Sequence, residues 1–172
     1  MAPETSTDVI QMLEAGRQEL ASAVSGISEE QAQASPGPGH WSVLQCLEHL
    51  TTVEELFLGR LKQAPRTGAP PVDKQKEAEL ARRIPDRTTK AQSPERALPT
   101  GRFRTLAEAV EGFHGARNKT IDFARQESAN LYAIASEHAR FGPLNGIEVL
   151  VFINGHARRH TAQIREVRKE LE

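Results

Sequence analysis

His156 and His160 are the residues whose type and spacing point most directly to chemistry. Imidazole nitrogens bind divalent metals, and two histidines four apart on a helix lie on one face, where they can share one ion. The helix that carries them is predicted to run from about Asn145 to the end of the sequence. One helical face, with spacings that alternate four and three, contains both histidines: Val149, Ile153, His156, His160, Gln163 and Val167. This face begins and ends apolar, so both side chains are expected to point inward.

Two histidines are only part of a site, because a catalytic zinc-type centre usually has three protein ligands and one open position. His49 is the candidate third ligand, since it lies beside the apolar seam of a second helix predicted from about Ser42 to Gln63. Facing helices of a bundle commonly supply such inward ligands. The alternative is that the three histidines are hydrogen-bonded core residues. Ala157 replaces the glutamate of the H-E-x-x-H motif, which argues against a zincin-type protease.

The rest of the chain favours an all-α fold. Two further amphipathic helices are predicted from about Thr5 to Gly26 and from Thr105 to Glu127. The proline-rich stretch 64–102 is long for a connection, so it is interpreted as a crossover with a short helix from about Lys74 to Ile84. No strand-like alternation of useful length is present. Sequences of the capping-box type begin at three positions: Ser28, Ser42 and Thr105.

Length and composition indicate an ordinary globular domain that spans residues 1–172. The chain is 38% hydrophobic and 26% charged, and 22 basic residues against 23 acidic ones give a net charge of -1. This balance argues against general electrostatic binding to nucleic acid or to an anionic membrane. The single cysteine excludes an internal disulfide. Neither a signal peptide nor a membrane span is predicted, so a cytoplasmic location is expected.

Four other residues are candidates for supporting roles, each with a structural alternative. Glu54 is a weak catalytic candidate as a general base, or it forms an ion pair. Arg117 is a weak candidate for receiving a substrate carboxylate, or it pairs with an acid. Gln163 orients His160 or is an interfacial glutamine. His138 lines a pocket mouth or lies in a surface loop.

Cys46 and Trp41 are expected mainly to pack. A thiol can coordinate a metal, but a small buried residue is the commoner role of a free cysteine. Trp41 is expected to anchor the start of the second helix. No functional role is predicted for His40 or His114.

Several motifs resemble those of the DinB-like superfamily. Residues 39–50, Gly-His-Trp-Ser-Val-Leu-Gln-Cys-Leu-Glu-His-Leu, are similar to its second-helix motif, with a Trp-Ser start and a His-Leu pair. Residues 141–145 and 156–164 resemble its last-helix motif, and residues 105–109 with Arg117 resemble its third helix. The ordered set covers almost the whole chain, and the stretch 64–102 is the least similar part.

The resemblance implies a four-helix bundle with a long crossover connection, in the order up-down-down-up. It also implies a three-histidine metal site, which by motif consists of His49, His156 and His160. Members of the family commonly bind zinc or nickel, are often dimers, and include thiol S-transferases that use a low-molecular-weight thiol. The expectation is therefore a metal-dependent thiol S-transferase or hydrolase, acting through metal-bound thiolate or water on a small-molecule substrate, and forming a homodimer.

Two other functions stay open at this point. The chain is alternatively a non-catalytic metal-binding or structural bundle that acts through dimerisation or a protein partner. A nucleic-acid accessory role is disfavoured by the net charge of -1. Three histidines accept zinc, nickel, iron or copper, so the sequence does not identify the metal or the substrate.

Overall fold

The computed structural model describes residues 6–88 and 92–171, and within these ranges it contains six α-helices and one two-stranded sheet. The helices are α1 (Ser6–Val24), α2 (Glu29–Gln33), α3 (Val43–Gln63), α4 (Lys74–Arg83), α5 (Leu106–Gln126) and α6 (Gly146–Leu171). The strands are β1 (Ala135–His138) and β2 (Gly142–Asn145), and single 3-10 turns cover Glu95–Ala97 and Leu131–Ala133. The predicted helices agree with α1, α3, α4, α5 and α6 to within two residues, except that the predicted start at Thr5 lies outside the described residues.

Capping side chains explain where the helices begin. Ser42 precedes α3; its Oγ accepts from the backbone N–H of Gln45 (3.2 Å), and Gln45 Oε1 accepts from the backbone N–H of Ser42 (3.0 Å). The box before α2 is complete in the same way. At α5 only half of the box forms, because Glu108 accepts from the backbone N–H of Arg104 (2.8 Å) while Thr105 accepts from Glu108 (3.1 Å).

Of the described helices, the four long ones, α1, α3, α5 and α6, form the bundle. Helix α3 packs against α5 and α6, and α1 packs against the same two helices from the other side. Helices α3 and α5 run parallel, because Glu48 at the start of α3 bonds residues 100–102 just before α5. Helices α1 and α6 are also parallel. Leu13 and Asn154 lie at the same level, because both accept from Arg117 Nη1, and towards the C-terminal ends of both helices Arg168 donates to the backbone oxygen of Ser25. The order is therefore up-down-down-up, as the resemblance implied.

Arg117 of α5 joins all four long helices at the centre of the bundle. It is fully buried, and its Nε and Nη2 donate to the two carboxylate oxygens of Glu54 of α3 (2.6 and 2.9 Å). Its Nη1 donates to the backbone oxygen of Leu13 of α1 (3.0 Å) and to Asn154 Oδ1 of α6 (3.2 Å). A buried charge needs such complete pairing. The group of Arg117, Glu54, the Leu13 carbonyl and Asn154, termed the polar hub, therefore sets how the four helices align.

Gly16 allows α1 to approach this hub closely. A Cβ added there would overlap the side-chain oxygen of Asn154 and lie 3.3 Å from Arg117 Nη1. A helical glycine ordinarily weakens a helix, so its place here is explained by the close approach.

The apolar core lies on both sides of the hub. One cluster surrounds Leu61, Ile121 and Leu150, and the other surrounds Leu47 and Phe113. The amphipathic helices bury these residues against one another, which supplies the main stabilisation of the bundle. Within the described ranges, no helix combines the length and apolar character needed to span a membrane.

The crossover is fixed beside α6. Lys76 of α4 forms an ion pair with the buried Glu148 (3.1 Å), and Ile84 at the end of α4 packs on Gly155. A Cβ on Gly155 would lie 2.9 Å from the Cβ of Ile84, so only glycine permits this contact without movement. The crossover therefore runs directly past the helix that carries two of the histidines.

Residues 135–145 form a short hairpin, although the sequence shows no strand-like alternation of useful length there. Strands β1 and β2 pair antiparallel, with Ala135 opposite Asn145 and His138 opposite Gly142. Each strand has only four residues, too few for an alternation to show in the sequence. The hairpin is held instead by tertiary contacts: Leu144 is fully buried, and the backbone N–H of Ala135 donates to the oxygen of Pro65 (2.9 Å).

We predict that Glu54→Leu and Arg117→Met each destabilise the protein by about 3–5 kcal/mol, because each leaves a buried charge without its partner. The double variant should lose less than the sum of the two, since it buries no unpaired charge. Urea unfolding followed by circular dichroism measures all three. Glu55→Gln is the matched control on the neighbouring residue: its carboxylate pairs with Arg102 at the exposed surface, so less than about 1 kcal/mol is expected. Strictly additive effects would contradict the assignment.

Candidate metal centre

The structure brings the three predicted histidines together. The ring centroids of His49, His156 and His160 lie 4.6–5.0 Å apart, and one nitrogen of each lies within 4.8 Å of the others. His49 Nε2 and His156 Nε2 are 3.1 Å apart. Within the described residues, this is the group of three or more His, Cys, Asp or Glu side chains that is compact enough to hold an ion. That it does hold one stays a prediction.

Helix geometry accounts for this convergence. His156 and His160 are one turn apart on α6, and α3 runs antiparallel to α6 with His49 facing them. His49 is 3% exposed and His160 8%, whereas His156 is partly exposed. The centre is therefore covered on the sides of His49 and His160, and His156 marks its more open side.

The crossover sets the protonation of His49. The backbone oxygen of Ala97 lies 2.6 Å from His49 Nδ1, and Ser93 Oγ lies 3.5 Å from the same nitrogen. A carbonyl oxygen only accepts, so Nδ1 carries the proton and donates it to Ala97. The lone pair of His49 is then on Nε2, which faces the other two histidines.

Gln163 does the same for His160, which is the first of the two roles considered for it. Its Oε1 accepts from His160 Nδ1 (2.8 Å), so Nε2 of His160 is left as the free nitrogen. Arg87 from the crossover donates to the same Gln163 oxygen (3.2 Å) and is itself paired with Glu166 (2.6 Å). The amide is therefore oriented with its oxygen toward the imidazole.

All three imidazoles are neutral at pH 7. Burial, together with the proximity of His49, lowers the pKa of His160 to about 3. Burial also lowers the pKa of His49, and it lowers that of His156 well below its ordinary value, with added repulsion from the other two rings. Neutral imidazole is the form that binds metal.

The donor set fits a divalent ion. Tetrahedral zinc with Zn–N bonds of 2.0–2.1 Å places its ligand nitrogens about 3.3 Å apart. The 3.1 Å between the Nε2 atoms of His49 and His156 is close to this value. At this distance a neutral His156 can donate its Nε2 proton to the lone pair of His49 Nε2, and a shared cation would take the place of that proton. Three neutral nitrogen ligands suit zinc, nickel, iron or copper.

Trp41 covers part of the cluster. Its ring centroid lies 4.8 Å from that of His49 and 6.0 Å from that of His160, where the rings are nearly parallel. It was predicted only as a packing anchor for α3, and it does pack there against the apolar core. Its ring therefore covers one side of two of the imidazoles.

Glu48 is a supporting residue that the sequence did not reveal. This carboxylate is 3% exposed and lies immediately before His49. Its Oε1 accepts from the backbone N–H of Thr100 (2.6 Å) and from the Thr100 hydroxyl (3.0 Å). Its Oε2 accepts from the backbone N–H groups of Gly101 and Arg102 (both 3.1 Å). Glu48 thus holds the segment that contains Ala97 against α3. Ala97 is the hydrogen-bond partner of His49.

The remaining candidates lie outside the cluster. Glu54 and Arg117 are paired with each other in the hub, so the structure favours the ion-pair alternative for both. Cys46 is fully buried in the core beside Leu47, and burial raises the pKa of its thiol to about 12. It therefore stays protonated at neutral pH and packs rather than binds metal.

His138 lies closer to the centre than a surface loop would suggest. Its ring stacks on Phe57 (5.6 Å) and contacts Phe152 (4.6 Å), whose own ring stacks on His156 (5.9 Å). This favours the prediction that His138 lines the approach to the site. His40 and His114, for which no role was predicted, are not part of the cluster.

Comparison with known proteins supports the resemblance. The family model of the DinB superfamily matches residues 12–164. The chain belongs to the DinB superfamily. It is 25% identical over 168 residues to the uncharacterized protein YuaE of Bacillus subtilis strain 168, a match that covers 91% of this chain and 94% of YuaE.

A solved structure shares the fold. YfiT from Bacillus subtilis is described as a probable metal-dependent hydrolase with an unusual four-helix bundle topology. It superposes with a TM-score of 0.65 and 18% sequence identity, over 99% of this chain and 90% of YfiT. At this identity the likeness establishes the four-helix bundle fold and its topology.

We predict that Glu48→Ala weakens metal binding by about tenfold or more, because the freed segment no longer presents the Ala97 carbonyl to His49. Competition with a chromophoric zinc chelator measures the affinity, and Glu48→Gln provides a second variant that keeps the side-chain volume. Glu55→Ala is the control: its partner, Arg102, belongs to the same segment, but the pair is exposed. We expect it to change the affinity by no more than about twofold. Wild-type affinity in a folded Glu48→Ala protein would contradict the role of this carboxylate.

Proposed function

We propose that this protein is a metal-dependent hydrolase whose ion is held by His49, His156 and His160. One observation carries the proposal: three neutral imidazoles converge within 4.8 Å, and one of them, His156, is partly exposed. Three protein ligands with one accessible position are the arrangement of catalytic zinc sites, whereas structural zinc sites use four protein ligands.

The residues of the chain have distinct tasks in this proposal. Ala97 and Gln163 hold His49 and His160 with their Nε2 lone pairs toward the ion. Trp41 excludes water from that side, and His156 leaves the approach for substrate. A bound divalent ion would lower the pKa of a coordinated water or thiol and polarise a substrate carbonyl, which is the chemistry that hydrolysis requires.

The structural neighbour supports testing hydrolysis first. YfiT shares the fold across nearly the whole chain and is described as a probable metal-dependent hydrolase. Because its sequence identity is 18%, this support concerns the reaction class and leaves the substrate open. Zinc or nickel is the proposed ion, because both accept three imidazole ligands.

Transfer of a low-molecular-weight thiol is the second candidate. Three neutral imidazoles leave the full charge of a divalent ion uncompensated, which favours an anionic thiolate at the open position. The chain cannot supply this thiol itself, because its one cysteine, Cys46, is buried and protonated. A small thiol would therefore have to enter as a cosubstrate. The homodimer likewise stays a prediction.

We predict that protein purified without a histidine tag or chelator contains about one zinc or nickel per chain by elemental analysis. The His156→Ala/His160→Ala double variant should contain none, because a single imidazole does not hold the ion. His40→Ala, an exposed histidine outside the cluster, is the matched control and should retain the metal. Ester and amide hydrolysis is then assayed with and without added small thiols, and metal removal should abolish activity that zinc or nickel restores.

The outcomes separate the candidate functions. Hydrolysis without thiol supports the hydrolase, and activity that requires thiol supports the transferase. A stoichiometric metal with neither activity would leave a non-catalytic metal-binding bundle. A wild-type protein that contains no metal and takes none up on titration would contradict the proposal.

A further inference from the structure

A second group of side chains adjoins the open side of the metal centre. Phe57 of α3, Phe152 of α6, and His138 and Phe141 of the hairpin form one contiguous aromatic group. The Phe57 and Phe152 centroids are 4.7 Å apart, and His138 lies 4.6 Å from Phe152 and 4.9 Å from Phe141. Phe57, His138 and Phe141 are each partly exposed, so the group presents an aromatic surface to solvent.

This surface continues directly into the metal centre. Phe152 lies one helical turn before His156 on α6, and their rings stack at 5.9 Å with an interplanar angle of 26°. His156 is also the partly exposed member of the three histidines. A molecule that reaches the centre past His156 would therefore contact the aromatic surface first.

The hairpin orients His138 toward this surface. The backbone N–H groups of Arg140 and Phe141 donate to His138 Nδ1 (3.1 and 3.3 Å). Nδ1 is therefore the acceptor, and the proton of the neutral ring is on Nε2. The hairpin turn thus occupies one ring nitrogen and leaves the other as a donor.

Two arginines place positive charge over the same surface. The guanidinium carbon of Arg60 lies 5.1 Å from the ring centroid of Phe57, and that of Arg140 lies 5.6 Å from that of Phe141. Neither guanidinium has a carboxylate partner within residues 6–88 and 92–171. Stacking on a ring leaves the N–H edge of a guanidinium free, and that edge matches a carboxylate.

We propose that this hairpin subsite binds the substrate of the metal centre and selects a molecule that carries a carboxylate and a flat apolar group. The subsite consists of Arg60, Arg140, His138, Phe57, Phe141 and Phe152. This inference rests on the proposed function, because it assigns the substrate class of that site. The apolar group stacks on the aromatic rings, the carboxylate accepts from the arginines and from His138 Nε2–H, and the reacting bond is then presented at His156.

The test compares 2-naphthoate with its uncharged analogue 2-naphthamide by calorimetric titration of the zinc-treated full chain. Wild type should bind naphthoate more tightly than naphthamide. The Arg60→Gln/Arg140→Gln variant should bind naphthoate about tenfold or more weakly, because charged hydrogen bonds are lost, while naphthamide is unaffected. Phe141→Ala should weaken both ligands. Arg104→Gln, an exposed arginine before α5 at the other end of the bundle, is the matched control and should change neither.

Titration of the His156→Ala/His160→Ala variant separates this inference from the proposed function. Naphthoate binding that survives there and still depends on the two arginines supports the subsite, even if the wild-type protein binds no metal and the proposed function fails. Equal naphthoate affinity in wild type and the Arg60→Gln/Arg140→Gln variant would overturn the subsite while leaving a metal-dependent hydrolase intact. Binding that disappears with the two histidines would also overturn it, because the carboxylate would then be a ligand of the ion.

Discussion

Arg117 carries a positive charge at the centre of the bundle, where burial would cost several kcal/mol if its donors had no partners. Arg117 donates to Glu54, to the Leu13 carbonyl and to Asn154, and each of these acceptors belongs to a different long helix. Apolar packing alone tolerates small shifts of one helix along another, whereas a bidentate ion pair does not. The hub therefore sets the longitudinal alignment of the four helices more strictly than the core does.

The proposed metal centre depends on this alignment. Glu54 lies five residues after His49 on α3, and Asn154 lies two residues before His156 on α6, so the hub and the cluster share the same two helices. A slip of one helical turn displaces a side chain by about 5.4 Å. Such a displacement exceeds the 4.8 Å within which all three imidazole nitrogens now lie. Glu48 then adds the crossover, which supplies the carbonyl that orients His49. The hub brings the three imidazoles together, and the crossover sets the protonation of His49.

The sequence was informative wherever a helical period or a local cap was sufficient. The long helices, the short helix of the crossover and the two complete capping boxes were all predicted, because these features depend on residues close in the chain. The inward direction of His156 and His160 followed from the same period. The apolar seam of the second helix made His49 the candidate third ligand, and the family resemblance agreed with it. The up-down-down-up order came from the resemblance alone.

Features that depend on contacts between residues far apart in the chain could not be predicted from the sequence. The pairing of Glu54 with Arg117 spans 63 positions, and each residue alone was compatible with either a catalytic or a structural role. Ala97 contributes only a backbone oxygen, which no side-chain pattern reveals, and Glu48 matters because of where the crossover passes. The hairpin escaped prediction because its four-residue strands are stabilised by packing.

In the proposed metal centre, three imidazoles bind one ion and leave one coordination position accessible. X-ray absorption spectroscopy of the zinc-loaded protein tests it most directly, because it reports the number, type and distance of the ligands. The structure predicts three imidazole nitrogens at about 2.0–2.1 Å, with a further light atom completing the shell. A sulfur ligand at about 2.3 Å, or a shell made of oxygen ligands without imidazole scattering, would contradict the account.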